Sequence, residues 1–322
     1  MDGMSETAQR MRAITVGAWG GPELLRETDL PRPVPGPCEI LVRVHAAGVN
    51  ATDWKQRATG GLGLWADPPA VGWDVSGTVE SVGVGTTLFL EGDEVFGMPR
   101  FPHQAGAYAE YVSAPARHFV RKPANIDHIE AAALPLVSLT AWQALIDTAH
   151  LEPGQRVLIH AAAGGFGHIA LQIAKSHRAH VIGTARGEKH AFLRDLGADQ
   201  LIDYTAMDFA AAVGEVDVVL DAVGGDYGPR SLKVLRAGGT LVSLASPADD
   251  ALRPQAADRG IRAGFMLVEP DHAALRAIAD LAARGRLRPA IETVLPLSEA
   301  AQAHRLGETG RTKGKIVLSV LE

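Results

Sequence analysis

Cysteine is nearly missing from this chain, with Cys38 the single one. One thiol excludes an internal disulfide and points to a reducing compartment, the cytoplasm. Long apolar runs are missing as well. None approaches the roughly 20 residues that a membrane-spanning helix needs. A basic excess is absent, since the formal net charge is −6. That excludes the electrostatic footprint of a nucleic-acid partner. Internal repeats and low-complexity tracts are not found. Residues 1–10 are polar and lack an apolar secretory segment, so they read as a disordered leader. The 12 histidines are scattered. No HExxH occurs, so each histidine reads as a surface or locally bonded group and no metal site is expected. What remains is 47% hydrophobic and 21% charged over 322 residues. That is an ordinary globular chain, long enough for two domains.

The most informative stretch is Val157-Leu158-Ile159-His160-Ala161-Ala162-Ala163-Gly164-Gly165-Phe166-Gly167. It reads as a strand, a tight turn and a helix start. Ala162, Gly164 and Gly167 hold the spacing of a GxGxxG dinucleotide loop, with alanine in first place. Small residues there permit the tight turn, the approach of a pyrophosphate to the backbone and close helix–strand packing. The helix N-terminus then offers N–H groups and a positive dipole end. Downstream, Phe166, Ile169, Ala170, Ile173 and Ala174 recur at helical spacing. His180–Thr184 follows as a second strand, completing a βαβ unit.

The rest of the chain divides by pattern. Residues 11–124 read as short strands and turns. Ile40, Val42 and Val44 alternate along one strand, and 75–83 forms another. Residues 125–268 alternate helix and strand, with near-continuously apolar strands at 200–203, 216–221, 239–244 and 264–268, as a doubly covered parallel sheet demands. The tail, 269–322, holds helices over 273–284 and 298–306 and a closing strand over 315–320. The expected fold is α/β, with 125–268 inserted between 11–124 and 269–322.

Several segments carry a family resemblance. They are Ala46-Ala47-Gly48-Val49-Asn50-Ala51-Thr52-Asp53-Trp54-Lys55, Gly92-Asp93-Glu94-Val95-Phe96-Gly97, Gly106-Ala107-Tyr108-Ala109-Glu110-Tyr111 and Ala131-Ala132-Ala133-Leu134-Pro135. Leu139-Thr140-Ala141, the glycine loop and Gly310-Arg311-Thr312-Lys313-Gly314-Lys315-Ile316-Val317 complete the set. In order and in content the chain resembles the medium-chain dehydrogenase/reductase superfamily, in its zinc-free quinone oxidoreductase branch. The resemblance implies a GroES-like β-barrel domain plus a Rossmann domain with a doubly wound parallel sheet. It places the active site in the cleft between them and implies a homodimer.

Zinc-dependent relatives bind the metal through a cysteine, a Gly-His-Glu motif and a later cysteine or aspartate. Here Asn50 takes the cysteine's place and Gly72-Trp73-Asp74 replaces Gly-His-Glu. Asparagine is a poor zinc ligand and tryptophan is none. Without a Lewis acid, reduction of an activated double bond or quinone is easier than oxidation of an alcohol.

An NAD-specific loop carries an acid about 20 residues past the glycines. Here the second strand ends in neutral Thr184 and Ala185, followed by Arg186. A guanidinium pairs bidentately with a 2′-phosphate, so NADPH is the expected cofactor. The resemblance adds Lys189 and Tyr204 at the 2′-phosphate. It extends the cofactor set through Thr140, Gly165, Phe166, Val223, Arg311 and Lys313.

For catalysis, Asn50 is a donor to the substrate carbonyl or the nicotinamide ribose. Lys55 is the enolate-stabilising or proton-delivering group, poised by Asp53. Trp54, Trp65, Tyr108 and Phe265 are weaker cleft candidates. The expectation is an NADPH-dependent reductase of an enone, enal or quinone. Two alternatives stand beside it: an enoyl-thioester reductase, and a non-catalytic NADPH-binding sensor or structural protein.

Overall fold

The computed structural model describes residues 9–321. All but the last two residues of the leader read over 1–10 lie outside them. Fifteen strands occur among the described residues. In chain order they are β1 (Arg10–Val16), β2 (Leu25–Pro31), β3 (Glu39–Val49), β4 (Asp74–Val82), β5 (Glu94–Gly97), β6 (Tyr111–Pro115) and β7 (Phe119–Arg121). Then come β8 (Arg156–Ile159), β9 (His180–Thr184), β10 (Gln200–Ile202), β11 (Val216–Asp221), β12 (Leu235–Ser243), β13 (Arg262–Phe265), β14 (Ile291–Pro296) and β15 (Lys315–Ser319).

β3 is the spine of the first sheet. It pairs with β4, β6 and β15, and the full order is β14-β15-β3-β4-β5-β7. Ile40, Val42 and Val44, the alternating residues, have no exposed surface. The tail therefore returns to this sheet through β15. It also brings β14, which the sequence pattern did not reveal. β1 and β2 form a separate antiparallel hairpin, likewise unforeseen.

The second sheet is wholly parallel, in the order β10-β9-β8-β11-β12-β13. β8 lies between β9 and β11, so the chain leaves its end where the strand order reverses. Open α/β sheets bind ligands at that point. The expected strand at 264–268 starts and ends earlier, because β13 pairs with β12 only through Phe265.

Four helices precede or follow these strands in the parts that carry the site: α1 (Ala51–Thr59), α2 (His128–Ala132), α3 (Pro135–Trp142) and α4 (Gly167–Ser176). Ile169, Ala170, Ile173 and Ala174 of α4 are fully buried. Burying each isoleucine contributes about 1.5–3 kcal/mol, which fixes the helix behind the glycine loop. The tail helix expected at 298–306 runs Ala300–Glu308, after a 3₁₀ turn at Leu297–Glu299.

Candidate active site

A cavity of about 480 Å³ opens between the two sheets. Its walls are mostly apolar and include Trp54, Leu62, Phe101, Leu136, Phe265 and Met266. Asn50, Lys55, Thr140, Gly164, Gly165 and Phe166 also border it. The glycine loop and the Asn50 segment thus meet across one space.

The loop's small residues are sterically required. A Cβ on Gly167 would lie 2.5 Å from the Ala161 carbonyl oxygen and 2.6 Å from Ala162 Cα. Ala162, behind the loop, is fully buried. His168 holds the loop in place. Its Nε2 accepts the Ala290 N–H at 3.0 Å, so Nδ1 carries the proton and donates to the Gly164 carbonyl at 2.8 Å. Burial pushes this imidazole down to about 4, so it is neutral at pH 7. The Gly314 N–H donates to the Ala163 carbonyl at 3.0 Å, tying the tail to the loop.

Lys55 sits at the cavity wall, where its Nζ donates to the Ala245 carbonyl at 3.3 Å. It makes no hydrogen bond to Asp53 in this structure. The expected poising of Lys55 by Asp53 is corrected here. Asp53 is fully buried. Its Oδ2 accepts the Asn50 backbone N–H and the Tyr108 hydroxyl, both at 2.7 Å. α1 starts at Ala51, so the Asp53 carboxylate caps the helix entry instead of facing the cleft. Burial pushes it up to about 7. Tyr108 is also fully buried and is no cleft residue. Trp65 packs on both cores and donates to the Gly60 carbonyl at 2.7 Å, whereas Trp54 and Phe265 do line the cavity.

The remaining cofactor candidates lie around the end of β9. Thr184 is buried, its hydroxyl 3.2 Å from His160 Nδ1. Arg186 is exposed and donates from Nε to the Tyr204 hydroxyl at 3.3 Å. Lys189 donates to the carbonyls of Arg311 (2.6 Å) and Thr312 (3.1 Å), so it straps the tail turn to this edge. The Lys313 ammonium stands 5.5 Å from the Phe192 ring centre. The Val223 N–H is held by Asp221 Oδ1 at 2.8 Å, and its side chain is exposed. Thr140 turns its hydroxyl back to the Leu136 carbonyl at 2.6 Å.

Two site features escaped the sequence reading. His160, His168 and His304 have no exposed surface, so the surface half of that reading fails for them. Lys315 is nearly fully buried at the cavity edge. A lysine opening an otherwise apolar strand was the available signal.

The zinc position does not fit a metal. The Trp73 indole N–H donates to the His103 carbonyl at 2.8 Å. The Asn50 side-chain amide is taken by Lys315 and by Asp74. Two of the three ligand places therefore hold groups that cannot bind zinc here.

Comparison with known proteins agrees with this geometry. The family model for the alcohol dehydrogenase GroES-like domain matches residues 36–124, and the zinc-binding dehydrogenase model matches 196–318. The NAD(P)H oxidoreductase RTN4IP1, mitochondrial, of Mus musculus is 32% identical, over 99% of this chain and 92% of its own length. The quinone oxidoreductase structure from Coxiella burnetii is 37% identical, with a TM-score of 0.92, over 97% of this chain and all of that one. A mycobacterial protein complexed with NADPH is 30% identical, with a TM-score of 0.84, over 96% of this chain and all of that one. The GroES-like and Rossmann pairing, the cleft and these relatives together put the chain in the medium-chain dehydrogenase/reductase family, in its zinc-free quinone oxidoreductase-like branch.

Proposed function

We propose that this oxidoreductase uses NADPH, without zinc, to reduce an activated carbon–carbon double bond of an enone or enal, or a quinone. The observation that carries the reading is the shared cavity. The glycine loop of one sheet and Asn50 and Lys55 beside the other open into the same apolar space. The mycobacterial relative complexed with NADPH supports the choice of cofactor.

The residues present fit a dinucleotide. Gly164, Gly165 and Phe166 would hold its pyrophosphate at the start of α4. Arg186 and Tyr204, exposed and hydrogen-bonded together, suit the 2′-phosphate. Lys189, Arg311 and Lys313 add positive charge nearby. Thr140 and Val223 lie along the remaining path. When bound, NADPH supplies a hydride.

The protein's own groups do the rest. The apolar walls exclude water and strengthen each polar contact inside. Asn50 donates an amide N–H toward the acceptor's carbonyl oxygen. Lys55 keeps N–H donors beyond the one on Ala245, and these stabilise the developing enolate or deliver its proton. Asp53 acts on neither atom and sets the start of α1. The reading includes a small-molecule acceptor and a cytoplasmic homodimer, with 125–268 as the dinucleotide unit. β13, an edge strand in the described sheet, offers a surface for pairing with a second copy.

Steady-state oxidation of NADPH and NADH against alkenals, enones, quinones and enoyl thioesters tests it. One charge-assisted contact of about 1.5–3 kcal/mol gives roughly a 10–150-fold preference for NADPH. Arg186→Ala should erase most of that preference. Lys55→Ala should lower kcat roughly 10²–10⁴-fold with NADPH affinity unchanged. Tight NADPH binding with no turnover on any acceptor would overturn the reading in favour of a binding protein. Selective turnover of enoyl thioesters would reassign the substrate.

A further inference from the structure

Asn50 is one of two asparagines in the chain, the other being Asn125. Its side chain is held from both ends. The Lys315 ammonium donates to Asn50 Oδ1, and also to the Val49 carbonyl at 2.8 Å. The Asp74 carboxylate accepts from Asn50 Nδ2 at 2.8 Å through Oδ2, while its Oδ1 accepts the Leu136 N–H at 2.8 Å. Donor chemistry allows no other arrangement. An ammonium only donates, so it must meet the amide oxygen. An ionised carboxylate only accepts, so it must meet the amide nitrogen. Asp74 has no exposed surface, Lys315 is 2% exposed and Asn50 4% exposed. The two charges are 3.8 Å apart.

We infer that Lys315 and Asp74 are positioning residues that lock the Asn50 amide in one orientation, so that its second Nδ2–H is held in a fixed place at the cleft. An unheld asparagine at a cavity edge turns over freely and presents a donor or an acceptor. Here both ends of the amide are held, so it cannot turn over, and its unclaimed N–H stays a donor. The site is thereby committed to an anionic or electron-rich oxygen, such as an enolate oxygen or a carboxamide carbonyl. The arrangement also explains two buried charges, Lys315 and Asp74, whose side chains spend their contacts on Asn50 and backbone groups. Burying such a pair strips water from both ions before their attraction offsets the loss, and an apolar pair is often as stable. Fold stability is a weak reason to keep them, and orientation is a stronger one.

The kinetic arm rests on the reductase reading, and the spectroscopic arm does not. In protein labelled with ¹⁵N-asparagine only two side-chain amides resonate, and Asn125→Ser assigns them. Asn125, whose Nδ2 donates to the Ala282 carbonyl at 3.0 Å, is the internal reference. One Asn50 amide proton should lie downfield of its partner and exchange slowly with water. In Asp74→Leu/Lys315→Met, which adds no asparagine and leaves Asn50 without either partner, that proton should move upfield and exchange faster, with the Asn125 pair unmoved. An Asn50 pair in wild-type protein that is equivalent and fast-exchanging would overturn the lock without any variant having to fold.

In the kinetic arm the same double variant should lose roughly 10–100-fold in kcat, on the scale of a mispositioned oxyanion donor, while KM for NADPH stays within a few-fold. In an Asn50→Ala background the double replacement should cost nothing further, because its effect passes through Asn50. An equal loss in that background would show a merely structural role and overturn the proposal. If wild-type protein turns over no acceptor, the reductase reading fails and the amide signals still decide the lock.

Discussion

Asp53 sits two residues from Lys55 in sequence and faces away from it. In a helix, successive side chains spread around the axis, so i and i+2 do not meet. Its carboxylate instead takes two donors at Oδ2 and leaves Oδ1 buried without a partner. An asparagine there would keep both bonds through one oxygen and, like the protonated acid, place a donor without a partner at the empty position. The folded-state pKa is raised from 3.8 to about 7. A raised acid contributes stability below pH 4 that is lost as pH climbs through 7. Asp53→Asn should therefore match wild type in urea unfolding at pH 5 and be more stable at pH 8. A variant less stable than wild type at pH 8 would show that the ionised carboxylate is needed in the fold.

Among elements, the glycine loop was the most legible because its information is local. Strand, turn and helix lie within 20 residues and each small residue answers one contact. Gly167 shows the limit of tolerance, since a Cβ there meets backbone rather than a side chain that can yield. Gly167→Ala should destabilise the protein by about 1–3 kcal/mol, as overpacking does, and should abolish NADPH binding by displacing the loop. Thermal unfolding and cofactor fluorescence check this. Binding retained at wild-type strength would mean the loop can shift without consequence. β14 was illegible for the opposite reason. It is a short edge strand with no fully buried residue, and its place is set by β15, more than 20 residues away. The Asn50–Asp74–Lys315 lock was illegible too. Its members come from α1's entry, β4 and β15, and only the fold brings them together. The resemblance drew attention to Asn50 and Trp73 as failed zinc ligands, with Asp74 next to Trp73 in the same motif, which marked the neighbourhood without giving its new task.

Over the whole molecule, buried and half-buried ionisable groups divide into two opposing sets. Desolvation pushes His45 down to about 4, His160 to about 3, His168 to about 4 and His304 to about 3. Their unfolded counterparts take up protons below about 6.5. These histidines therefore contribute stability that is complete above pH 6.5 and is lost as pH falls toward 4. Each fully buried histidine is worth about 1.4 kcal/mol per pH unit in that window, and half-buried His45, screened by solvent, is worth less. Asp53 and Asp74, raised to about 7 and about 6, act in the reverse sense and gain stability on acidification. Four histidines outweigh two carboxylates between pH 6.5 and 4. His168 makes a contact that only the neutral ring can make, and His160 and His304 fill buried contacts where desolvation disfavours the charged ring. His168 accepts the Ala290 N–H, His160 lies 2.9 Å from the Ser231 hydroxyl, and His304 packs edge-on to Tyr108 and Trp54. The urea midpoint should therefore drop between pH 7 and pH 4.5, with cofactor binding lost in the same range, because His168 is the ring that clamps the glycine loop. His168→Gln would shed one titrating group but also the clamp, so it should flatten the pH dependence while weakening NADPH binding at every pH. A midpoint that holds or rises on acidification would mean that the carboxylates, and not the histidines, set the acid limit of this fold.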